Sequence, residues 1–174
     1  LSHKIYYGAV IGCIDGAWRD ATLAVVRRLA GGHNIDPYNR PGSTKRHCHH
    51  CVVTREVIQD LVKITIANHG AMQLYLAHHQ DCLAYGGTKA FSSHQAERAA
   101  HVADLHSAEQ LFKELVLAQA KELLKTGELS HKERANLEAA VGGAFMVTKL
   151  FIPEANRGEV LSIKLADCRA CIVD

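Results

Sequence analysis

The stretch Ile5-Tyr6-Tyr7-Gly8-Ala9-Val10-Ile11-Gly12-Cys13-Ile14-Asp15-Gly16 decides the fold. Apolar side chains run through it without the in-out alternation of a half-solvated strand, and Asp15-Gly16 ends it. It therefore reads as a strand covered on both faces, as in a parallel sheet between helix layers. Working outward, Asp20 caps a helix over 21–30 in which Leu23, Val26 and Ala30 share a face, and Gly31-Gly32 stops it. A short extended stretch over 33–40 follows, restricted by Pro37 and by the Pro41-Gly42 turn. The spacing of Val57, Leu61, Ile64 and Asn68 predicts a helix over 54–69 with Gly70 as terminator, and 71–78 reads as another strand.

Ser92-Ser93-His94-Gln95 has the Ser-x-x-Gln form of a capping box and opens a long helix to about Lys125, with Leu105, Ala108, Phe112, Leu115 and Ala118 as its core stripe. Thr126-Gly127 ends it, and Ser130-His131-Lys132-Glu133 starts another helix in the same way. Two β-rich runs, 145–152 and 159–165, are joined by Pro153-Glu154-Ala155-Asn156-Arg157-Gly158, which suits a reversal and an antiparallel pair. The expectation is a single domain over 1–174: a three-layer α/β fold with a mainly parallel central sheet, right-handed crossovers and a C-terminal antiparallel strand pair.

Composition narrows the function. In 174 residues, 48% hydrophobic and 22% charged residues give a globular balance. Twenty Lys plus Arg against 18 Asp plus Glu leave +2, no electrostatic case for nucleic acid. No window reaches the roughly eighteen apolar residues of a membrane span. Leu1-Ser2-His3-Lys4 leads into no apolar signal region, and 6 Cys in a chain with its own core do not resemble a secreted disulfide scaffold. A cytoplasmic location is expected. The 12 His and 6 Cys make metal chemistry the leading question.

Cys13-Ile14-Asp15 sits where the first strand ends, and His79-Gln80-Asp81-Cys82 where the strand ending near His78 gives way to Leu83-Ala84-Tyr85-Gly86-Gly87. In open α/β sheets, ligand sites gather at the carboxyl ends of strands beside a switch in strand order. If the two strands are neighbours, Cys13, His79 and Cys82 converge. Two thiolates and one imidazole are a zinc ligand set that leaves a fourth tetrahedral position. Asp15 is close enough in sequence to ligate the metal or to accept a hydrogen bond from metal-bound water. Against this stands the ordinary buried Cys of strand ends, and one His-x-x-Cys is a weak pattern by itself.

The pair Cys13-Ile14-Asp15-Gly16 and His79-Gln80-Asp81-Cys82 resembles the zinc motifs of the β-class carbonic anhydrases. The likeness is closest to a small branch with a Cys-x-Asp-Gly-Arg-Phe strand end, a Pro-Gly-Gly-x-Lys loop and a His-x-Asp-Cys-Gly-Ala-Tyr-Gly segment. This chain has Cys13-Ile14-Asp15-Gly16-Ala17-Trp18, Pro41-Gly42-Ser43-Thr44-Lys45 and His79-Gln80-Asp81-Cys82-Leu83-Ala84-Tyr85-Gly86, in that order. His101-Val102-Ala103-Asp104-Leu105 also matches that branch's helix. The resemblance runs from Ile5 to about Phe112 and implies Zn²⁺ held by Cys13, His79 and Cys82. It further implies hydration of carbon dioxide, or a related small electrophile, by zinc hydroxide with Asp15 orienting the nucleophile, and a homodimer or higher homo-oligomer.

One position departs from the pattern. In the resembled enzymes an Arg two residues after the Asp pairs with it and keeps the carboxylate off the metal; here the residue is Ala17. Asp15 is then expected to close the coordination sphere as fourth ligand, which disfavours hydration. Arg19, Arg40 and Lys45 are the candidate replacements, but a displaced guanidinium rarely recovers the original fork geometry. The alternative to an enzyme is a non-catalytic zinc protein, structural or sensing. Another zinc hydrolase or lyase acting on a carbon dioxide analogue is a third reading.

His47-Cys48-His49-His50-Cys51 is the densest ligand cluster. Its Cys-x-x-Cys, with Cys168 and Cys171 far along the chain, would make a second zinc site; a polar loop entering the next helix is the favoured reading. His101 and Asp104 are candidates to support the metal ligands, although a solvated helix face explains them nearly as well. His3, His33, His94, His106 and His131 show no convergent spacing. The glycine pairs do not fit a phosphate-binding fingerprint, and no serine nucleophile elbow is present.

Overall fold

The computed structural model describes residues 6–45, 47, 52–153 and 172–173. Its core is one five-stranded sheet in the order β2-β1-β3-β4-β5. The strands are β1 (Tyr6–Cys13), β2 (Asn34–Arg40), β3 (Gln73–His79), β4 (Met146–Ile152) and β5 (Ile172–Val173). β1 runs parallel to both β2 and β3, and β3 parallel to β4. The short β5 pairs antiparallel with β4 through Lys149↔Val173 and Leu150↔Ile172. The C-terminal antiparallel pair is therefore present with 172–173 as the partner; the expected second run, 159–165, lies outside the described residues.

Alternation along the buried strands sorts the core into two layers, as the pleat requires. Val10, Tyr75, Ala77, Leu150 and Ile152 face α1 (Gly16–Leu29) and pack on Trp18, Val25, Val26 and Ala30. Ala9, Ile11, Leu74, Leu76 and Phe151 face the other way, onto Val57, Leu61, Leu105, Phe112 and Leu137. Those residues come from α2 (Val52–Asp60) with its continuation, α3 (His94–Thr126) and α4 (His131–Ala139). The stretch over 33–40, expected only to be extended, is the edge strand β2, and its Pro37 is tolerated there.

Two helices depart from the expected periodicity. The 54–69 helix begins at Val52 and widens into a π-helix at Leu61–Asn68. More residues per turn bring Val62, Thr65, Ile66 and Ala67 inward and turn Ile64 outward to 41% exposure. On α3 the buried line runs Glu97, His101, Leu105, Ala108, Phe112, Val116, Ala120, drifting off the expected Leu115 and Ala118. The N-cap is Ser93, whose hydroxyl accepts from Ala96 N at 3.1 Å, rather than Ser92. The capping box at Ser130 and Glu133 forms as read.

Candidate metal centre

From β1 the chain crosses to β2 on one side and later returns to β3 on the other, so strand order reverses between β1 and β3. Side chains leaving the carboxyl ends of these two strands share a crevice by construction. Cys13 is the last residue of β1 and His79 the last of β3. Cys82 follows after a tight turn in which Asp81 takes a left-handed φ of 56°. One ligand atom each from Cys13, His79 and Cys82 lies within 4.8 Å of the others, and all three residues are buried.

Three features fit this group to a metal. The two Sγ atoms are 4.0 Å apart and both cysteines are free. That is far beyond a disulfide bond, whereas two sulfurs on one tetrahedral ion, each about 2.3 Å from it, stand roughly 3.8 Å apart. His79 Nδ1 donates to the Gln80 carbonyl at 2.7 Å, which places the ring proton there and leaves a lone pair on Nε2. That Nε2 is buried with no hydrogen-bond partner, a costly state unless a cation receives the lone pair. A metal-binding histidine that donates its other ring nitrogen to a carbonyl is the usual arrangement for fixing tautomer and ring orientation. Trp18 stacks on the ring at 4.7 Å between centroids and holds it from the α1 side.

Electrostatics point the same way. The Cys82 thiol lowers the pKa of Cys13 well below the ordinary thiol value; burial opposes this and His79 adds to the lowering. Cys82 moves up in turn, through its contact with Cys13 and through burial. Opposed shifts of this kind suit a pair that shares one proton more readily than two.

A cleft of about 260 Å³ opens over the group, lined by Cys13, Ile14, Asp15, Pro41, Gly42, Cys82, Leu83 and Ala84. Its mouth is apolar, with Ile14 56% and Leu83 80% exposed. The two lips touch at Gly42, where φ is +69° and an added Cβ would lie 2.6 Å from the Ala84 Cβ. Next to it Ser43 holds φ 53°, the conformation that the Gly-Gly of the resembled loop would adopt without strain. Its hydroxyl donates to the Ile11 carbonyl at 3.0 Å, tying the loop to β1. Lys45 Nζ crosses to the Ala84 carbonyl at 2.6 Å and lies over the Tyr85 ring.

Asp15 stands in the cleft wall but is not a member of the close Cys13–His79–Cys82 group. Its carbonyl accepts from Trp18 N and Arg19 N, so it begins α1. Of the basic residues considered for the missing Arg, Arg19 pairs with its neighbour Asp20 at 3.1 Å. Arg40 Nη1 donates to the Asn39 carbonyl, and Lys45 makes the bridge just described.

Behind this group lies a polar layer that contains His101 and Asp104, the candidates expected to support it, together with His78 and Thr44, which the sequence did not single out. His78, pointing to the opposite face of β3, meets Thr44 Oγ1 through Nε2 at 2.6 Å and His101 Nδ1 through Nδ1 at 3.0 Å. Burial, with the neighbouring His101 and His79, lowers its pKa to about 3. His101 is fully buried, and Asp104 accepts the Tyr85 hydroxyl at 2.7 Å. The solvated-face reading of these two residues is therefore corrected. For His78 the signal was the doubled histidine at 78–79.

Of the cluster at 47–51 the structure describes His47 alone; Cys48, His49, His50, Cys51, Cys168 and Cys171 lie outside the described residues. His47 Nδ1 bonds Thr54 Oγ1 at 3.1 Å and its ring sits edge-on to Phe112. Burial, with Arg40 nearby, lowers its pKa to about 4. No helix among the described residues is long and apolar enough to cross a membrane.

Fold and site together define a class: a doubly wound, mainly parallel α/β protein with two cysteines and a histidine gathered at the switch point of its sheet. The chain belongs to the family described as "Putative carbonic anhydrase", whose model matches residues 3–121. Among solved structures it is similar to one of two tetrameric β-carbonic anhydrases from the filamentous ascomycete Sordaria macrospora, at 15% identity. That match covers 91% of this chain and 79% of that one with a TM-score of 0.45. It is also similar to the β-carbonic anhydrase CafA of Aspergillus fumigatus, at 16% identity, covering 98% and 85% of the respective chains with a TM-score of 0.42. No curated protein matches the chain.

Proposed function

We propose that this chain is a zinc protein of the β-carbonic-anhydrase type whose cleft takes carbon dioxide or a related small electrophile. The observation that supports this most is the buried Cys13–His79–Cys82 group with an orphaned His79 Nε2. Cys13, His79 and Cys82 would hold the ion, and zinc so held lowers the pKa of water and polarises a carbonyl. Ile14, Pro41, Leu83 and Ala84 offer an apolar wall that suits an uncharged substrate. Asp15, in the same wall, would be the residue that orients an attacking water. The reading includes a homo-oligomer, a dimer or larger, and a cytoplasmic setting.

A second reading has its own support in Ala17, which stands where the resemblance puts the orienting Arg. Asp15 then serves as fourth ligand, and the protein is a structural or sensing one. One measurement tests both readings together and a second separates them. Zinc content should be one equivalent per chain and should drop in Cys13→Ser; absence of stoichiometric metal, unchanged by that substitution, sinks both. Carbon dioxide hydration should be weak in the wild type and rise at least tenfold in Ala17→Arg, about 1.4 kcal/mol of transition-state stabilisation. Robust wild-type turnover at neutral pH removes the closed-site reading.

A further inference from the structure

We propose that Glu97 is a positioning residue for the metal-ligand loop, its buried carboxyl group being the anchor that sets how Cys82 approaches Cys13 and His79. The proposal rests on the zinc reading and extends it to a residue on a different element, α3. Glu97 is 0% exposed. A carboxyl group in that position is expensive unless several donors converge on it, and they do. Oε1 accepts the Asp81 backbone N–H at 2.6 Å, and Oε2 accepts the Thr88 hydroxyl at 3.0 Å. Thr88 N donates in turn to Asp81 Oδ1 at 3.0 Å, closing a ring of three residues.

The ring clasps one of the two non-glycine residues with a left-handed backbone among those described. Asp81 has φ 56°, and it is the link between His79-Gln80 and Cys82. On the far side the Cys82 carbonyl accepts from Tyr85 N at 2.8 Å and Gly87 N at 3.0 Å. The cysteine is thus fixed from both flanks, by Glu97 before it and by the turn after it. Metal sites tolerate little misplacement of a ligand, and the residues that lock ligand-bearing backbone set affinity as the ligands themselves do.

Glu97 also faces His101 Nε2 at 4.0 Å and His94 Nδ1 at 3.9 Å. Through His101 and His78 the buried polar chain continues to Thr44, on the loop that forms the opposite lip of the cleft. One carboxyl group therefore sits at the root of both walls.

The test uses the purified full chain, with zinc affinity read by competition against a chromophoric chelator and ligand geometry read from the spectrum of the cobalt(II) form. In Glu97→Ala the zinc affinity should fall by about 10–100-fold, and the thiolate-to-cobalt absorption should change in intensity or position. Glu97→Gln keeps an acceptor for Asp81 N and a partner for the Thr88 hydroxyl, and should return affinity to within about threefold of wild type. Thr88→Val keeps volume and removes one donor; it should cost about threefold or more, and it carries the test if Glu97→Ala does not fold. Wild-type affinity and an unchanged cobalt spectrum in folded Glu97→Ala, or wild-type affinity in Thr88→Val when the alanine variant fails to fold, overturn the proposal. A wild-type chain that takes up no zinc overturns the zinc reading and this inference together. A wild type that binds zinc indifferently to Glu97 and Thr88 overturns this inference alone.

Discussion

His78 and His79 are consecutive residues at the end of one strand, equally buried at 2% and 1% exposure, yet their surroundings differ in kind. The pleat sends them to opposite faces of the sheet. On the α3 face His78 finds partners for both ring nitrogens, Thr44 and His101. On the α1 face His79 has one nitrogen spent on a carbonyl and the other left with a lone pair and two sulfurs nearby. Burial alone does not mark a ligand. An unmet acceptor beside soft donors does, whereas a histidine satisfied at both ends is part of the framework.

Exchanging the two roles by mutation tests this contrast most severely. His79→Ala should weaken zinc binding by about a thousandfold or more, since it removes one of three protein ligands. His78→Leu should retain one equivalent of zinc and instead lose about 2–4 kcal/mol of unfolding free energy, because Thr44 and His101 are left buried with unmet groups. Metal analysis and urea titration on the same samples read both effects. Equal zinc loss in the two variants would erase the distinction.

A smaller effect comes from pH. Burial pulls the His101 pKa down to about 4, opposed by Glu97 and reinforced by His79. The ring is neutral in the fold, while the unfolded chain takes up a proton below its ordinary value near 6.5. This contribution is therefore complete above pH 6.5 and is lost as pH falls toward 4. Urea unfolding in EDTA should show stability falling between pH 7 and pH 5, with His47 and His78 contributing in the same direction, and His101→Phe should lessen that fall by ~1–2 kcal/mol. Smallest is Thr44→Val, expected to cost about 1 kcal/mol through the lost hydroxyl on His78 Nε2, with zinc content unchanged.

The apolar runs at 5–13 and 71–78 were legible because parallel strands buried on both faces leave a hydropathy signature that little else imitates. Their adjacency entered the sequence reading only as a condition; the structure pairs β1 with β3, and with that Cys13, His79 and Cys82 meet. What stayed illegible is polar and buried. Glu97 on α3 looks from sequence like part of a solvated stripe, since nothing in a residue's type says that donors wait for it across a loop. Lys149 is similar: a charge inside a β run, it is 9% exposed and pairs with Glu109 at 2.7 Å. The π-helix at Leu61–Asn68 hid for another reason, because a period of 3.6 was imposed on a segment that does not keep it.

The two sulfurs stand 69 residues apart in the chain and meet only because β1 and β3 lie side by side. A zinc finger gathers its ligands locally, so the ion can nucleate the fold. Here a newly made chain has no site to offer until the central strands have found their register. On the zinc reading proposed above, metal uptake would thereby be a late event in assembly and would report that the sheet has closed correctly.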